Sequence, residues 1–114
     1  MSVLIAGTVH LPAEQRDEAL AETAQLVRDT REQAGCEHYV WAADPTSDTR
    51  VYVFEKWASI EDLARHLAGP CYSGMLAALG GFGVTDAEVS KYRIAHAEPV
   101  YDSEGRPRAD FFTE

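Results

Sequence analysis

The chain has 114 residues, 46% of them hydrophobic and 25% charged, and its formal net charge is −9 at pH 7. This length predicts one domain, and the acidic balance without clustered Lys or Arg argues against a nucleic-acid partner. The N-terminal apolar run has no basic segment before it and is far shorter than the roughly 20 residues of a membrane span. We therefore expect a soluble, cytoplasmic protein with no membrane partner.

The first third of the chain predicts a strand followed by a helix. Residues 2–11 are rich in Val, Leu, Ile and Thr without a helical period, and Pro12 ends this first strand. From Ala13 to Ala34, apolar residues recur at the spacing of one helix face. Gly35 then suits the position after the helix, where a left-handed backbone favours glycine. The pattern indicates one long first helix.

The middle of the chain predicts a hairpin and a second helix. Residues 36–43 and 50–57 are rich in aromatic and β-favouring residues, and the turn-forming segment DPTSDT joins them. Residues 59–62 resemble a capping box, and a short amphipathic helix follows until Pro70 breaks it. A further helical turn or two is expected over residues 71–79.

The C-terminal third predicts a fourth strand and a tail. Residues 89–100 favour a strand, so we divide the chain into a domain of residues 1–99 and a tail of residues 100–114. The tail is polar but contains Tyr101, Phe111 and Phe112. Aromatic side chains are rarely left in solvent, so we expect the tail to dock on the domain or on a partner subunit.

This order of elements predicts a ferredoxin-like βαββαβ fold of the α+β class. Its antiparallel sheet has the first and third strands in the middle and the helices on one face. The second and third strands are apolar on both sides, since Tyr39, Trp41, Tyr52 and Phe54 are divided between them. Because the uncovered face would expose a large apolar patch, we predict a homodimer in which the two open sheet faces meet, a dimeric α+β barrel.

Several short motifs, in this order and spacing, resemble the antibiotic biosynthesis monooxygenase domains over residues 3–98. They are Gly35-Cys36-x-x-Tyr39, Asp44-Pro45, Glu55-x-Trp57 and Leu63-x-x-His66-x-x-x-Pro70. The resemblance implies a dimeric oxygenase without a cofactor that uses O₂ to oxidise quinol- or anthrone-like aromatic substrates in a pocket between sheet and helices. Members that oxygenate anthrones carry an Asn on this strand where the present chain has Val53.

The candidate catalytic residues lie around the junction between the third strand and the second helix. Trp57 finishes the third strand, His38 starts its hairpin neighbour, and the helix with His66 rises from the same edge. We predict that Trp57 forms a planar wall for an aromatic substrate. His66 or His38 would be the base that removes a phenolic proton, because an imidazole titrates at about pH 6.5. The alternative is that all three are packing residues.

Other polar side chains are assigned to substrate binding or to structure. Tyr39, Tyr72 and Arg93 are candidates for binding the substrate, although both tyrosines also suit a packed core. For Glu55 we prefer a salt bridge with Arg93 or Lys56 to a role as an acid.

Metal chemistry is not expected from this sequence. The four histidines do not form an H-x-H or H-x-x-x-H pair, and His10 lies at the opposite end of the predicted sheet from His38 and His96. Cys36 and Cys71, the only cysteines, form no C-x-x-C pair and are expected to be buried thiols. A non-catalytic ligand-binding or accessory protein remains the alternative to an oxygenase.

Overall fold

The computed structural model describes residues 1–113, which form one antiparallel four-stranded sheet with helices packed on one face. The strands are β1 (Val3–His10), β2 (Cys36–Ala43), β3 (Arg50–Trp57) and β4 (Asp86–Arg93). The helices are α1 (Arg16–Glu22), α2 (Ala24–Arg31), α3 (Ile60–Leu67) and α4 (Pro70–Phe82). The strand order is β2-β3-β1-β4. The ferredoxin-like α+β fold is confirmed, with the first and third strands in the middle.

Alternation along β3 separates a covered face of the sheet from an open one. Val51, Val53 and Trp57 are buried under the helices, whereas Tyr52 and Phe54 are 53% and 38% exposed on the opposite face. Successive side chains of a strand point to opposite faces, so the register assigns every strand residue to one of the two. The core lies on the covered face; its buried members include Val3, Leu11, Ala19, Tyr39, Leu63 and Met75.

The predicted first helix is in fact two helices that meet at Thr23, where ψ is 0°. The Thr23 hydroxyl is buried and donates a hydrogen bond of 2.8 Å to the carbonyl of Ala19. Hydroxyl groups that bond back to the preceding turn bend helices, and the sequence pattern of the apolar stripe does not reveal this. Thr23 divides the segment into α1 and α2, and Gly35 follows with the expected positive φ of 78°.

The fourth strand lies earlier in the sequence than the apolar pattern predicts. It spans residues 86–93 instead of 89–100, and it pairs with β1 from His10↔Asp86 to Val3↔Arg93. The N-terminus of β1 limits this ladder, and the last bond runs from the Ile94 amide to the Ser2 carbonyl. A β-favouring sequence beyond Arg93 therefore has no partner strand. The segment after α3 is also longer than expected, since α4 begins at Pro70 and continues to Phe82.

A one-residue bulge in β2 decides which side chains face the helices. Cys36 pairs with Trp57, but His38 pairs with Lys56 and Tyr39 with Glu55, so Glu37 is the extra residue. A bulge reverses the faces of the residues that follow it. Tyr39 therefore points to the covered face, and His38 points to the open one, where its ring lies 5.7 Å from that of Phe54.

The residues after β4 form a small arm of their own, defined here as residues 95–113. The Glu98 carboxylate accepts hydrogen bonds from the Phe112 and Thr113 amides, and Tyr101 pairs with Pro107 across a turn. The Cα radius of gyration is 16.1 Å, against about 13 Å for a compact domain of 100 residues. The arm therefore projects from the domain. Residue 114, the end of the predicted tail, lies outside the described residues.

Candidate active site

A cavity of about 320 Å³ lies between the covered face of the sheet and helices α3 and α4. Among the described residues, no Lys or Arg lines it, so the cavity favours an uncharged and largely apolar ligand. Its apolar walls include Ile5, Val53, Met75, Leu76, Leu79 and Val89. Its polar side chains are Tyr39, Trp41, Glu55, His66 and Tyr72.

His66 reaches the cavity because α3 places it one turn after the buried Leu63. Ser59 caps the helix by accepting a bond of 3.0 Å from the Asp62 amide, which fixes where α3 begins. The imidazole is 3% exposed, and its Nδ1 lies 2.8 Å from the Gln33 Oε1 atom. Burial lowers the pKa of His66 below its ordinary 6.5, so the ring is neutral at pH 7.

Three aromatic side chains hold the imidazole in place. Trp57 stacks on one face of His66, with ring centroids 4.7 Å apart and planes inclined by 28°. Tyr39 and Tyr72 meet it edge-on, at centroid distances of 5.6 and 5.9 Å. Trp57 itself is 0% exposed, so it lies behind His66 instead of forming a wall of the cavity. Trp57 is predicted to form a planar wall for the substrate, but its ring does not line this cavity, and the imidazole lies against its face.

Glu55 is bound to the indole and not to a basic side chain. The Trp57 Nε1–H donates a hydrogen bond of 3.0 Å to the Glu55 carboxylate, while Lys56 pairs with Glu37. The expected salt bridge of Glu55 is therefore replaced by a neutral donor. Burial raises the pKa of Glu55 above its ordinary 4.5, and the bond from Trp57 partly offsets this rise.

Tyr39 and Trp41 place two more polar groups beside the cavity. The Trp41 indole nitrogen is buried next to the Tyr39 hydroxyl but has no hydrogen-bond partner of normal geometry among the described residues. Burial, together with the nearby Glu55 carboxyl, raises the pKa of Tyr39, so its hydroxyl stays protonated. It donates to no acceptor among residues 1–113 and is available to a ligand oxygen.

Comparison with known proteins places this geometry in a family. The model of the antibiotic biosynthesis monooxygenase family matches residues 2–78. The chain belongs to this family.

Solved structures of similar proteins show the same fold. A candidate antibiotic biosynthesis monooxygenase of Deinococcus radiodurans is 24% identical with a TM-score of 0.79, over 88% of this chain and 99% of that one. A candidate from Chloroflexus aurantiacus is 20% identical with a TM-score of 0.72, over 87% and 98% of the two chains. An uncharacterized protein of Synechocystis sp. is 23% identical over 98 residues, which are 86% of this chain and 67% of that protein.

Besides Trp57, two of the predicted site residues lie away from the cavity of this antibiotic biosynthesis monooxygenase family member. His38 shares an edge of the sheet with Trp57, as expected, but the β2 bulge turns it to the open face. Arg93 is exposed at the end of the edge strand β4, where it lines a separate depression with Val3 and Ile60. Of the two histidines proposed as the base, only His66 faces the cavity.

The sequence did not indicate Gln33 or Trp41 as site residues. Gln33 lies in the turn between α2 and β2, a segment read only as the end of a helix, and 33 positions separate it from His66. In the sequence, Trp41 is one of several aromatic residues of an apolar strand. A signal for Trp41 exists in the two-residue spacing from Tyr39, which places both aromatic rings on one face of β2.

In residues 1–113, no group of three or more His, Cys, Asp or Glu side chains is arranged to hold a metal ion. None of the helices in this range is long and apolar enough to cross a membrane.

Proposed function

We propose that this chain is a cofactor-independent monooxygenase that oxidises quinol- or anthrone-like aromatic substrates. The observation that carries the proposal is His66, a neutral and nearly fully buried imidazole on the wall of an apolar cavity. A neutral imidazole is a suitable general base near neutral pH. The apolar walls suit a flat aromatic ring, and family membership supports the reaction class.

The proposed reaction begins with proton transfer from the substrate to His66. The resulting electron-rich anion gives one electron to O₂, and the substrate radical and superoxide combine to form a peroxide. His66 then returns its proton to the peroxide, which gives a hydroperoxide. The second proton leaves the same carbon while the O–O bond breaks, so a carbonyl forms and water is released. In an anthrone-like substrate, a CH₂ group thereby becomes a carbonyl, with one oxygen atom from O₂ in the product and the other in water.

Tyr39 has a complementary role in this proposal. Removing a proton leaves negative charge on the substrate oxygen, and no Lys or Arg of the described residues lines the cavity. The Tyr39 hydroxyl, which stays protonated, donates a hydrogen bond to that oxygen. Tyr72, edge-on to His66 in the same wall, would contact the ring of the substrate. Arg93, in its separate depression, is not part of the proposed site.

Oxygen consumption tests the proposal directly. The rate of oxygen consumption is measured for the wild type, His66→Ala and His38→Ala with a panel of hydroquinones and anthrones as substrates. We expect turnover in the wild type, a loss of about 10²-fold or more in His66→Ala as is typical of a general base, and no loss in His38→Ala, since His38 lies on the open face. Equal turnover in the two variants would contradict the assignment. Binding of these ligands without oxygen consumption in the wild type would favour the accessory-protein alternative.

We further propose that the chain forms a homodimer through the open face of the sheet. Tyr52, Phe54 and Tyr92 lie on this face and are 53%, 38% and 54% exposed. Large apolar side chains exposed together on one face typically mark an interface. Phe54→Glu should give monomers in sedimentation experiments at micromolar concentration. The matched control is Ile60→Glu, which puts the same charge on an exposed apolar position of α3 and should leave the dimer intact. A monomeric wild type would refute the proposal.

The arm is proposed to dock on the partner subunit. Within residues 1–113, the hydrogen bonds of the arm all join residues of the arm to one another, whereas Val100, Tyr101 and Phe111 are 60% or more exposed. Deleting residues 95–114 should therefore preserve the circular dichroism spectrum and weaken the dimer. An unchanged dimer dissociation constant after the deletion would contradict this role.

A further inference from the structure

The Gln33–His66 contact lies on the side of the imidazole away from the cavity. Gln33 lies between α2 and β2, where its amide bonds to the Thr30 carbonyl and its own carbonyl accepts a bond from the Cys36 amide. Its side chain lines an outer groove of about 250 Å³ together with Arg65 and does not line the cavity. His66 lies between this groove and the cavity and belongs to the walls of both.

The chemistry of the contact specifies one form of the imidazole. A neutral imidazole has one N–H and one lone pair, and a carboxamide oxygen can only accept a hydrogen bond. The Gln33 Oε1 atom lies 2.8 Å from Nδ1 of His66. With this oxygen as the acceptor, Nδ1 would carry the hydrogen and the lone pair would be on Nε2, for which no hydrogen bond is present among residues 1–113. We infer that Gln33 is a positioning residue that fixes the tautomer of His66 and directs the basic Nε2 to the cavity.

This inference deepens the proposed function and rests on it for its catalytic part. In the opposite tautomer, Nε2 would carry the hydrogen at the side of the substrate, and the ring could not accept a proton there. Gln33 does not touch the substrate. Its effect passes through the imidazole, in the way that hydrogen-bond partners orient catalytic or metal-binding histidines in general.

Nuclear magnetic resonance of the ¹⁵N-labelled imidazole tests the tautomer without any substrate. The wild type should show Nδ1–H and an unprotonated Nε2 above the pKa of His66. Gln33→Met keeps the side-chain length and removes the acceptor, so we expect the preference for this tautomer to fall by about fivefold to tenfold, the value of one hydrogen bond. Gln25→Met is the matched control, because Gln25 is exposed on α2 and bonds only within that helix. An Nε2–H tautomer in the wild type, or an unchanged tautomer in Gln33→Met, would overturn the inference.

Gln33→Glu supplies a rescue and a second readout. The new carboxylate still accepts from Nδ1–H and also favours the protonated ring, so the pH at which His66 titrates should rise. The other titratable or charged groups around the ring are Glu55 and Tyr39 on the sheet, Tyr72 on α4, and Asp62 and Arg65 along the groove. They are the same in every variant, so the shift reports Gln33 alone. A titration that stays in place or moves to lower pH would contradict the contact.

Turnover separates this inference from the proposed function. If the protein consumes oxygen, Gln33→Met should lower kcat by about fivefold to tenfold, in line with the tautomer population, while KM changes little. Gln33→Glu should recover kcat with its pH profile moved upward. If the tautomer is as stated but no substrate is oxidised, the proposed function fails and the assignment of the tautomer stands.

Discussion

The two tryptophans of the covered face should respond in opposite ways to the same substitution. Trp57 donates its indole hydrogen to the buried Glu55, whereas the indole hydrogen of Trp41 is buried without a partner of normal geometry. Replacement by Phe removes the indole N–H and part of the ring in both cases. The two variants differ in what happens to the hydrogen bond and in how deeply the replaced ring is buried.

The expected difference follows from the two environments. Trp57→Phe loses a bond to a carboxylate, which contributes about 1.5–3 kcal/mol, and leaves Glu55 without a partner. Trp41→Phe removes a buried donor whose lack of a partner costs about 1–3 kcal/mol. Trp57 is also fully buried whereas Trp41 is only partly buried, so the lost packing acts in the same direction. Trp57→Phe should therefore be less stable than Trp41→Phe by at least about 2.5 kcal/mol. That is a large part of the about 5–15 kcal/mol that stabilises a typical domain.

Urea unfolding followed by circular dichroism measures this difference. All variants are compared at one protein concentration, because the stability of a dimer depends on it. Equal slopes against urea concentration would show that the same surface is exposed in each case. Equal free energies of unfolding for Trp57→Phe and Trp41→Phe, within about 0.5 kcal/mol, would refute the reasoning about the two indole hydrogens.

Three further predictions concern stability. Glu55→Gln keeps an acceptor for Trp57 and removes the charge. Burial raises the pKa of Glu55 in the folded protein above 4.5. The contribution of Glu55 to the free energy of unfolding of the wild type therefore falls as pH rises through that pKa. The variant should gain over wild type in urea melts at pH 8, and the gain should shrink towards pH 5; a constant difference would contradict this. Gly7→Ala would put Cβ 2.2 Å from the Glu88 carbonyl oxygen, so it should lower the free energy of unfolding by about 1–3 kcal/mol or more. Gly80→Ala, with open space around its Cβ, should be neutral or stabilising. Thermal unfolding of both variants measures the difference. Ser59→Ala removes the cap of α3 and should cost about 1 kcal/mol in urea unfolding; an unchanged midpoint would count against it.

The sequence predicted the fold because its local signals agree with one another. The β-favouring residues of β3, the turn formers between β2 and β3, and Gly35 after α2 mark boundaries that fit one arrangement, and the βαββαβ order then allows few topologies. The fourth strand was displaced because strand limits depend on the partner. Residues 94–100 favour a strand, but β1 begins at Val3, and beyond Ser2 it offers no backbone amide or carbonyl groups to pair with them.

The site was harder to predict because faces and partners depend on details that periodicity does not carry. His38 was placed with Trp57 from its position along β2, and the bulge at Glu37 moved it to the other face. His66 and Trp57 were expected to share a junction, but their stacking required the angle between α3 and the sheet. The contact of Gln33 with His66 could not be predicted, because a polar residue at the end of a helix has no distinguishing sequence pattern.

The distribution of unpaired polar groups is the strongest structural reason to regard the cavity as a site. Nearly all buried polar groups in folded proteins find a partner, and exceptions call for an explanation. In residues 1–113, the one buried side-chain atom without a partner is Nε1 of Trp41, and Nε2 of His66 and the hydroxyl hydrogen of Tyr39 are also unused. All three residues line the same cavity. In the proposed function, these groups contact a substrate that carries both an acidic hydrogen and an acceptor oxygen.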